Sequence, residues 1–228
     1  MAQSASSRPD LGTGVYTYAE AARLLQVKSA RVRRWAQGYC ARRRGREIRK
    51  EPILRSDAAR LGVVTFADLV ELMFVKCFIS LGVPLAEVVA AAERLALELD
   101  TPYPFACKRL ETDGRQLLEA FGPGYRNPAT LQIVFAFASE LFKDVDFDPD
   151  TCLAERWWPL GRDRKIVVDR HRSFGAPIVE ERSIRTDVLY ATYKAEERDA
   201  ELVAEWYRVP KEAVLAAVEF EEEWLKAA

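Results

Sequence analysis

A chain of 228 residues with a hydrophobic share of 49% carries enough apolar material for one large domain or two to three small ones, without disulfide staples. No apolar run is long enough to span a bilayer, and the N-terminus lacks the basic-then-apolar layout of a secretory signal, so a cytoplasmic protein is expected. Four isolated cysteines, Cys40, Cys77, Cys107 and Cys152, and one histidine, His171, argue against a zinc finger, a C-x-x-C redox motif and a disulfide scaffold.

The net charge of −1 hides a gradient along the chain. Residues 1–60 hold fourteen Lys and Arg against five acids, whereas residues 196–228 hold ten acids against four bases. A basic head is the footprint of a polyanion binder, because each phosphate it neutralises releases a condensed counterion.

Residues 1–14, rich in Ser and Gly, read as a flexible tail. Thr17-Tyr18-Ala19-Glu20 is a capping box, which predicts a helix through Ala21, Ala22, Leu24 and Leu25. A second helix is expected from Lys28 or Ser29, with Val32 and Trp35 facing inward and Arg31, Arg33 and Arg34 projecting from the other faces. Two short helices joined by a tight turn form a helix-turn-helix pattern, and the second would enter a major groove. Arg42, Arg43, Arg44 and Arg46 surround Gly45 between two short extended runs, the pattern of a basic two-stranded wing. Lys28, Ser29, Arg31, Arg33, Arg34, Arg42, Arg43, Arg44 and Arg46 are therefore the candidate DNA-binding residues. Thr65-Phe66-Ala67-Asp68 opens a strongly apolar helix that ends near Gly82, and Pro84 opens another carrying Leu85, Val88, Val89, Ala92, Leu95 and Leu99.

The stretch "YAEAARLLQVKSARVRRWAQGY", the basic wing and "TFADLVELMFVKCFISLGVPLAEV" together resemble the MerR-type winged helix-turn-helix over residues 16–98. The resemblance puts Arg33 where that family carries its DNA-contacting arginine. Lys28 replaces the usual capping Ser, and Arg31 the usual Thr. No long coiled-coil helix or cysteine effector loop follows, so a metal sensor is not implied.

Between Thr101 and Gly161 a small sheet is expected. A hairpin would turn at Thr112-Asp113-Gly114 between Phe105–Leu110 and Gln116–Leu118, with further strand candidates at Leu131–Phe135 and Cys152–Trp158. Phe135, Ala138, Ser139 and Phe142 equally suit a helix across the third of these. Asp144, Asp146, Asp148 and Asp150 alternate but lack the glycine and closing Glu of a calcium loop, so solvated turn residues are expected. Strands at Ile166–Val168 and Ile178–Val179 precede three helices near 186–194, 197–206 and 211–225.

Residues Ile166, Val168, Phe174, Gly175, Pro177, Ile178, Ile184, Thr186, Ala204, Tyr207, Val214, Ala217 and Phe220 resemble a small domain of VapB-type antitoxins whose toxins are PIN-like ribonucleases. That resemblance implies an antitoxin that binds operator DNA, represses its own operon and masks its toxin. Glu181 and Ser183 depart from the Gly and Arg usual there.

The expected fold is mainly α with small β elements, an α+β class. It comprises a MerR-like winged head with two following helices (15–100), a β-containing middle (101–160) and a C-terminal three-helix, helix-turn-helix-like domain (161–228). Arg182, Arg185, Trp206, Tyr207 and Trp224 are the candidate partner-facing residues, and a homodimer is expected because helix-turn-helix proteins usually bind two half-sites. The helices at 66–81 and 85–99 and the C-terminal helix each offer a dimerisation surface. No enzyme, metal or cofactor is expected, since no nucleophile motif or phosphate loop occurs and His171 sits in a basic loop. The alternative function is a stand-alone MerR-like regulator that responds to a small ligand.

Overall fold

The computed structural model describes residues 14–43, 46–107 and 128–226. The tail before Gly14, the hairpin turn at Thr112-Asp113-Gly114 and the strand at Gln116–Leu118 lie outside them. Strand β1 (Val15–Thr17) leads into helix α1 (Tyr18–Leu24) through the expected capping box: Glu20 N donates to Thr17 Oγ1 at 3.2 Å, and Glu20 Oε2 accepts from Thr17 N at 2.8 Å. Helix α2 (Ser29–Gln37) follows, capped by Lys28 without a side-chain bond, and buries Val32, Trp35 and Ala36. Strands β2 (Tyr39–Arg43) and β3 (Arg46–Lys50) then pair antiparallel into the wing.

A short helix α3 (Asp57–Arg60) and strand β4 (Val63–Thr65), which pairs with β1, lead to α4 (Phe66–Ser80). Thr65 caps α4 and Asp68 closes the box, its Oδ2 accepting from Thr65 N at 3.0 Å and from Ser56 Oγ at 2.8 Å. Replacing Thr65 by Ala lowers stability by about 1 to 2 kcal/mol in chemical denaturation, whereas Thr65→Ser, which keeps the hydroxyl, stays near wild type.

Helix α4 is buried on nearly every face, from Phe66 to Phe78, including the acids Asp68 and Glu71. It is the axle of the molecule, and that enclosure removes it from the candidate dimer surfaces. Helix α5 (Leu85–Glu98) packs beside it through Val88, Ala91, Ala92 and Leu95. The Phe74 ring lies 4.7 Å from that of Phe142, the Phe78 ring 5.1 Å edge-on from that of Phe105, and the Phe142 ring 5.8 Å from that of Phe147. One aromatic run thus ties the head to the middle of the chain.

Two expectations for the middle are corrected. Leu131–Phe135 is not a strand but part of helix α6 (Pro128–Lys143), because burying Ala138 and Phe142, four residues apart, needs the helical period. Phe105–Cys107 is a turn that touches the sheet through one bridge, Cys107 to Leu153, since its Phe105 and Ala106 amides bond a side chain rather than a neighbouring strand.

Five antiparallel strands form a meander in chain order: β5 (Val145–Phe147), β6 (Ala154–Trp157), β7 (Ile166–Asp169), β8 (Pro177–Val179) and β9 (Ile184–Arg185). The sheet therefore runs across the expected division at residue 160. Its central strand β7 is buried throughout: Ile166 and Val168 face the main core, while Val167 joins Ile178 and Trp158 in a smaller cluster. Helices α7 (Thr186–Ala195), α8 (Ala200–Tyr207) and α9 (Lys211–Lys226) complete the chain, with Asp199 capping α8.

Head and tail share a core. Gly14 N donates to Arg170 O at 3.0 Å and the buried Tyr16 hydroxyl donates to Gly175 O at 2.9 Å. A Cβ on Gly175 would stand 2.8 Å from Gly14 Cα, so this seam closes only because both positions are glycine.

Candidate nucleic-acid interface

Helix α2 presents its basic residues outward because its apolar positions are spent on the core. Val32 and Trp35, at i and i+3, pin one face against the head. Lys28, Ser29, Arg31, Arg33 and Arg34 are all exposed at the turn and on the free face. The Arg31 guanidinium lies 5.9 Å over the Trp35 ring and that of Arg34 lies 5.6 Å over the Tyr39 ring, both within cation–π range. Burial pushes the Tyr18 phenol up, and the neighbouring Arg33 guanidinium pulls it back toward its ordinary value. Among the described residues no carboxylate forms an ion pair with Lys28, Arg31, Arg33, Arg34 or Arg42. By contrast, Arg49 pairs with Glu51 and Arg60 with Asp57. Uncompensated cations on a solvated helix are available to a polyanion.

The wing extends this surface. Arg42 is exposed on β2, Arg43 and Arg46 oppose each other in the register of the ribbon, and Arg44 lies outside the described residues. Beneath the helix a cleft of about 350 Å³ is lined by Trp35, Tyr39, Glu51, Ile53, Leu85 and Val89.

Residues 14–92 match the family described as "Putative DNA-binding HTH domain". The head is a helix-turn-helix domain. Over 194 residues the chain is 26% identical to "Putative antitoxin VapB45" of Mycobacterium tuberculosis (strain ATCC 25618 / H37Rv), covering 77% of this chain and 81% of that protein. Its fold is similar to the X-ray crystal structure of Rv2018 from Mycobacterium tuberculosis, with a TM-score of 0.69 over 93% of this chain and 99% of that one, at 20% identity. The VapB resemblance seen in the sequence thus recurs in a curated relative, and the two names are those of a DNA-binding domain and an antitoxin.

The candidate partner-facing residues are spread over the turn before β9, the start of α7 and the ends of α8 and α9. Arg182 is exposed, and Arg185, at the start of α7, holds Asp187 by two bonds of 3.0 and 2.5 Å. Tyr207 is half-buried, its hydroxyl 2.9 Å from Thr192 Oγ1, which stands roughly 10 Å farther along that helix. Trp206 is 56% exposed, and Trp224 lies near the end of α9. His171 is exposed, its Nε2 3.6 Å from Glu155 Oε1. Asp148 caps its own turn through the amides of Asp150 and Thr151, which holds its carboxyl below the usual range. Asp146 receives the Trp158 indole N–H and the Arg162 guanidinium.

Charge counted along the chain misses where the tail spends its acids. Glu221 is buried, paired with Arg23 of α1 and accepting from Thr186 Oγ1 at 2.6 Å, while Glu219 pairs with Arg164 and Glu201 with Lys211. The clue was available: Glu221 follows Val214 and Ala217 on the apolar stripe of α9.

Proposed function

We propose that the chain is the antitoxin of a type II toxin–antitoxin pair, which binds operator DNA through its MerR-like head, represses its own operon and neutralises a PIN-like ribonuclease. Residues 15–100 serve the DNA, with Arg31, Arg33 and Arg34 reading base edges. Lys28, Ser29 and the wing arginines Arg42, Arg43, Arg44 and Arg46 hold phosphates or the adjoining minor groove. Residues 161–228 serve the toxin, through Arg182, Arg185, Trp206, Tyr207 and Trp224. Supporting this reading above all is the row of exposed arginines on α2 that form no ion pair with any acid among the described residues.

Co-expression with the neighbouring gene tests it. A stable complex in which RNA cleavage is silenced, together with a footprint on the upstream DNA, is the expected result. A neighbour that is no nuclease overturns the toxin half. Operator affinity falls steeply with salt, log K dropping by about 0.9 per neutralised phosphate for each unit of log salt, as measured by anisotropy titrations; a flat response removes phosphate contact as the main source of binding.

The cleft under α2 favours a second reading, a stand-alone MerR-like regulator. A small ligand seated against Trp35 and Tyr39 would shift Arg34 and the base of the wing together. Operator binding that changes with a cell-extract metabolite fraction, without a protein partner, would support this regulator.

A further inference from the structure

The turn after β7 holds three consecutive residues at positive φ: Ser173 (49°), Phe174 (56°) and Gly175 (77°). A left-handed backbone is natural for glycine and strained for phenylalanine. The fold gains little in return, for the Phe174 ring is 82% exposed. Surrounding bonds impose the conformation. Tyr16 holds the Gly175 carbonyl, Arg172 donates to Glu180 O and to Ser183 Oγ, and Ser173 Oγ donates to Ser183 O at 3.3 Å. A strained backbone held in place to display a bare aromatic ring marks a contact surface.

Beside the ring opens a cleft of about 200 Å³, walled by Tyr16, Leu24, Ala176 and Pro177. A cavity of about 150 Å³ is enough to hold a benzene ring. Knob and hole thus share one patch, the condition for a self-complementary two-fold contact, in which each copy offers the other what it receives. Charge matches as well. The cleft's two cations are answered within the chain, Arg23 by Glu221 and Arg185 by Asp187, which leaves Glu20 in excess at its rim. On the turn adjoining the knob, Arg182 is exposed and forms no ion pair among the described residues.

We propose that two copies of this chain associate about a two-fold axis through this patch, each seating its Phe174 ring in the other's cleft with Arg182 facing Glu20. The dimer would supply the pair of recognition helices that the proposed operator binding uses, but it stands on the patch alone.

Sedimentation of the full chain without DNA tests it. Wild type is a dimer. Phe174→Gly, which removes the ring and suits the left-handed backbone, weakens self-association roughly tenfold or more. At a concentration where both proteins are monomeric, its thermal midpoint is equal to or higher than that of wild type. Ala176→Leu, which fills the cleft and leaves the knob, weakens it likewise. A monomeric wild type, or both variants associating like wild type, overturns the proposal. So does a Phe174→Gly variant that still dimerises but no longer holds the neighbouring gene's product, since the occupant is then that protein. A monomeric Phe174→Gly variant that still silences RNA cleavage supports the dimer contact and leaves the antitoxin reading intact.

Discussion

Replacing Arg33 by Ala lowers affinity for operator DNA by about 1 to 3 kcal/mol, roughly fivefold to 150-fold, measured by anisotropy at fixed salt. Of the three arginines on α2, this one is expected to matter most. Arg31 and Arg34 lie over Trp35 and Tyr39, so part of their binding capacity is already used within the chain. Arg33 is exposed with no such ring contact among the described residues. For the same reason its loss leaves the thermal midpoint unchanged, because an exposed, unpaired side chain contributes little to folding. Arg33→Lys separates charge from shape. It retains attraction to any duplex but loses the planar fork that grips a guanine edge, so the operator-to-random affinity ratio collapses toward the Ala variant. Operator binding by Arg33→Ala equal to wild type would remove α2 as the reading element, whatever the wing does.

The head was legible because its signals are local. Thr17–Glu20 and Thr65–Asp68 are each a few residues long, and each forms the reciprocal bonds its pattern requires. The inward pair Val32 and Trp35 then fixes which arginines point outward. What the sequence concealed is long-range. The run Ile133-Val134-Phe135 has strand-like composition, yet Phe142 finds its partners in Phe74 and Phe147 only on a helix. Tyr16 and Gly175 are 159 positions apart, so nothing near either announces the seam between head and tail. The acidic tail misled for a related reason: a charge sum cannot tell solvated Glu222 from Glu221, which is buried against Arg23. Phe174 was visible only as part of a family likeness, since exposure and left-handed backbone are properties of the folded chain.

Glu71→Ala is expected to cost about 2 to 4 kcal/mol of stability, whereas Glu71→Gln is tolerated, and the wild type, unlike Glu71→Gln, loses stability as pH rises from 4.5 to about 8. Glu71 sits wholly inside α4, where its Oε2 accepts the backbone N–H groups of Phe105 and Ala106, each at 2.9 Å. Those amides belong to the turn that delivers the Phe105 ring to Phe78, so Ala strands two buried donors at the joint between head and middle. Gln keeps an acceptor oxygen in nearly the same place and carries no charge. Burial pushes the Glu71 carboxyl up to about 8, against the pull of the two N–H donors and Arg55, with nearby Asp68 adding to the rise. The folded chain therefore holds a proton that the unfolded chain, with an ordinary carboxyl near 4.5, releases. Stability from this group is full below the unfolded value, declines as pH climbs through the window between 4.5 and about 8, and is exhausted above it. Denaturation midpoints measured across that window should fall in the wild type and stay flatter in Glu71→Gln, with the variant overtaking it at the alkaline end. Parallel pH profiles for the two proteins would mean that Glu71 is ionised in the native state, its charge compensated by the two amides and Arg55.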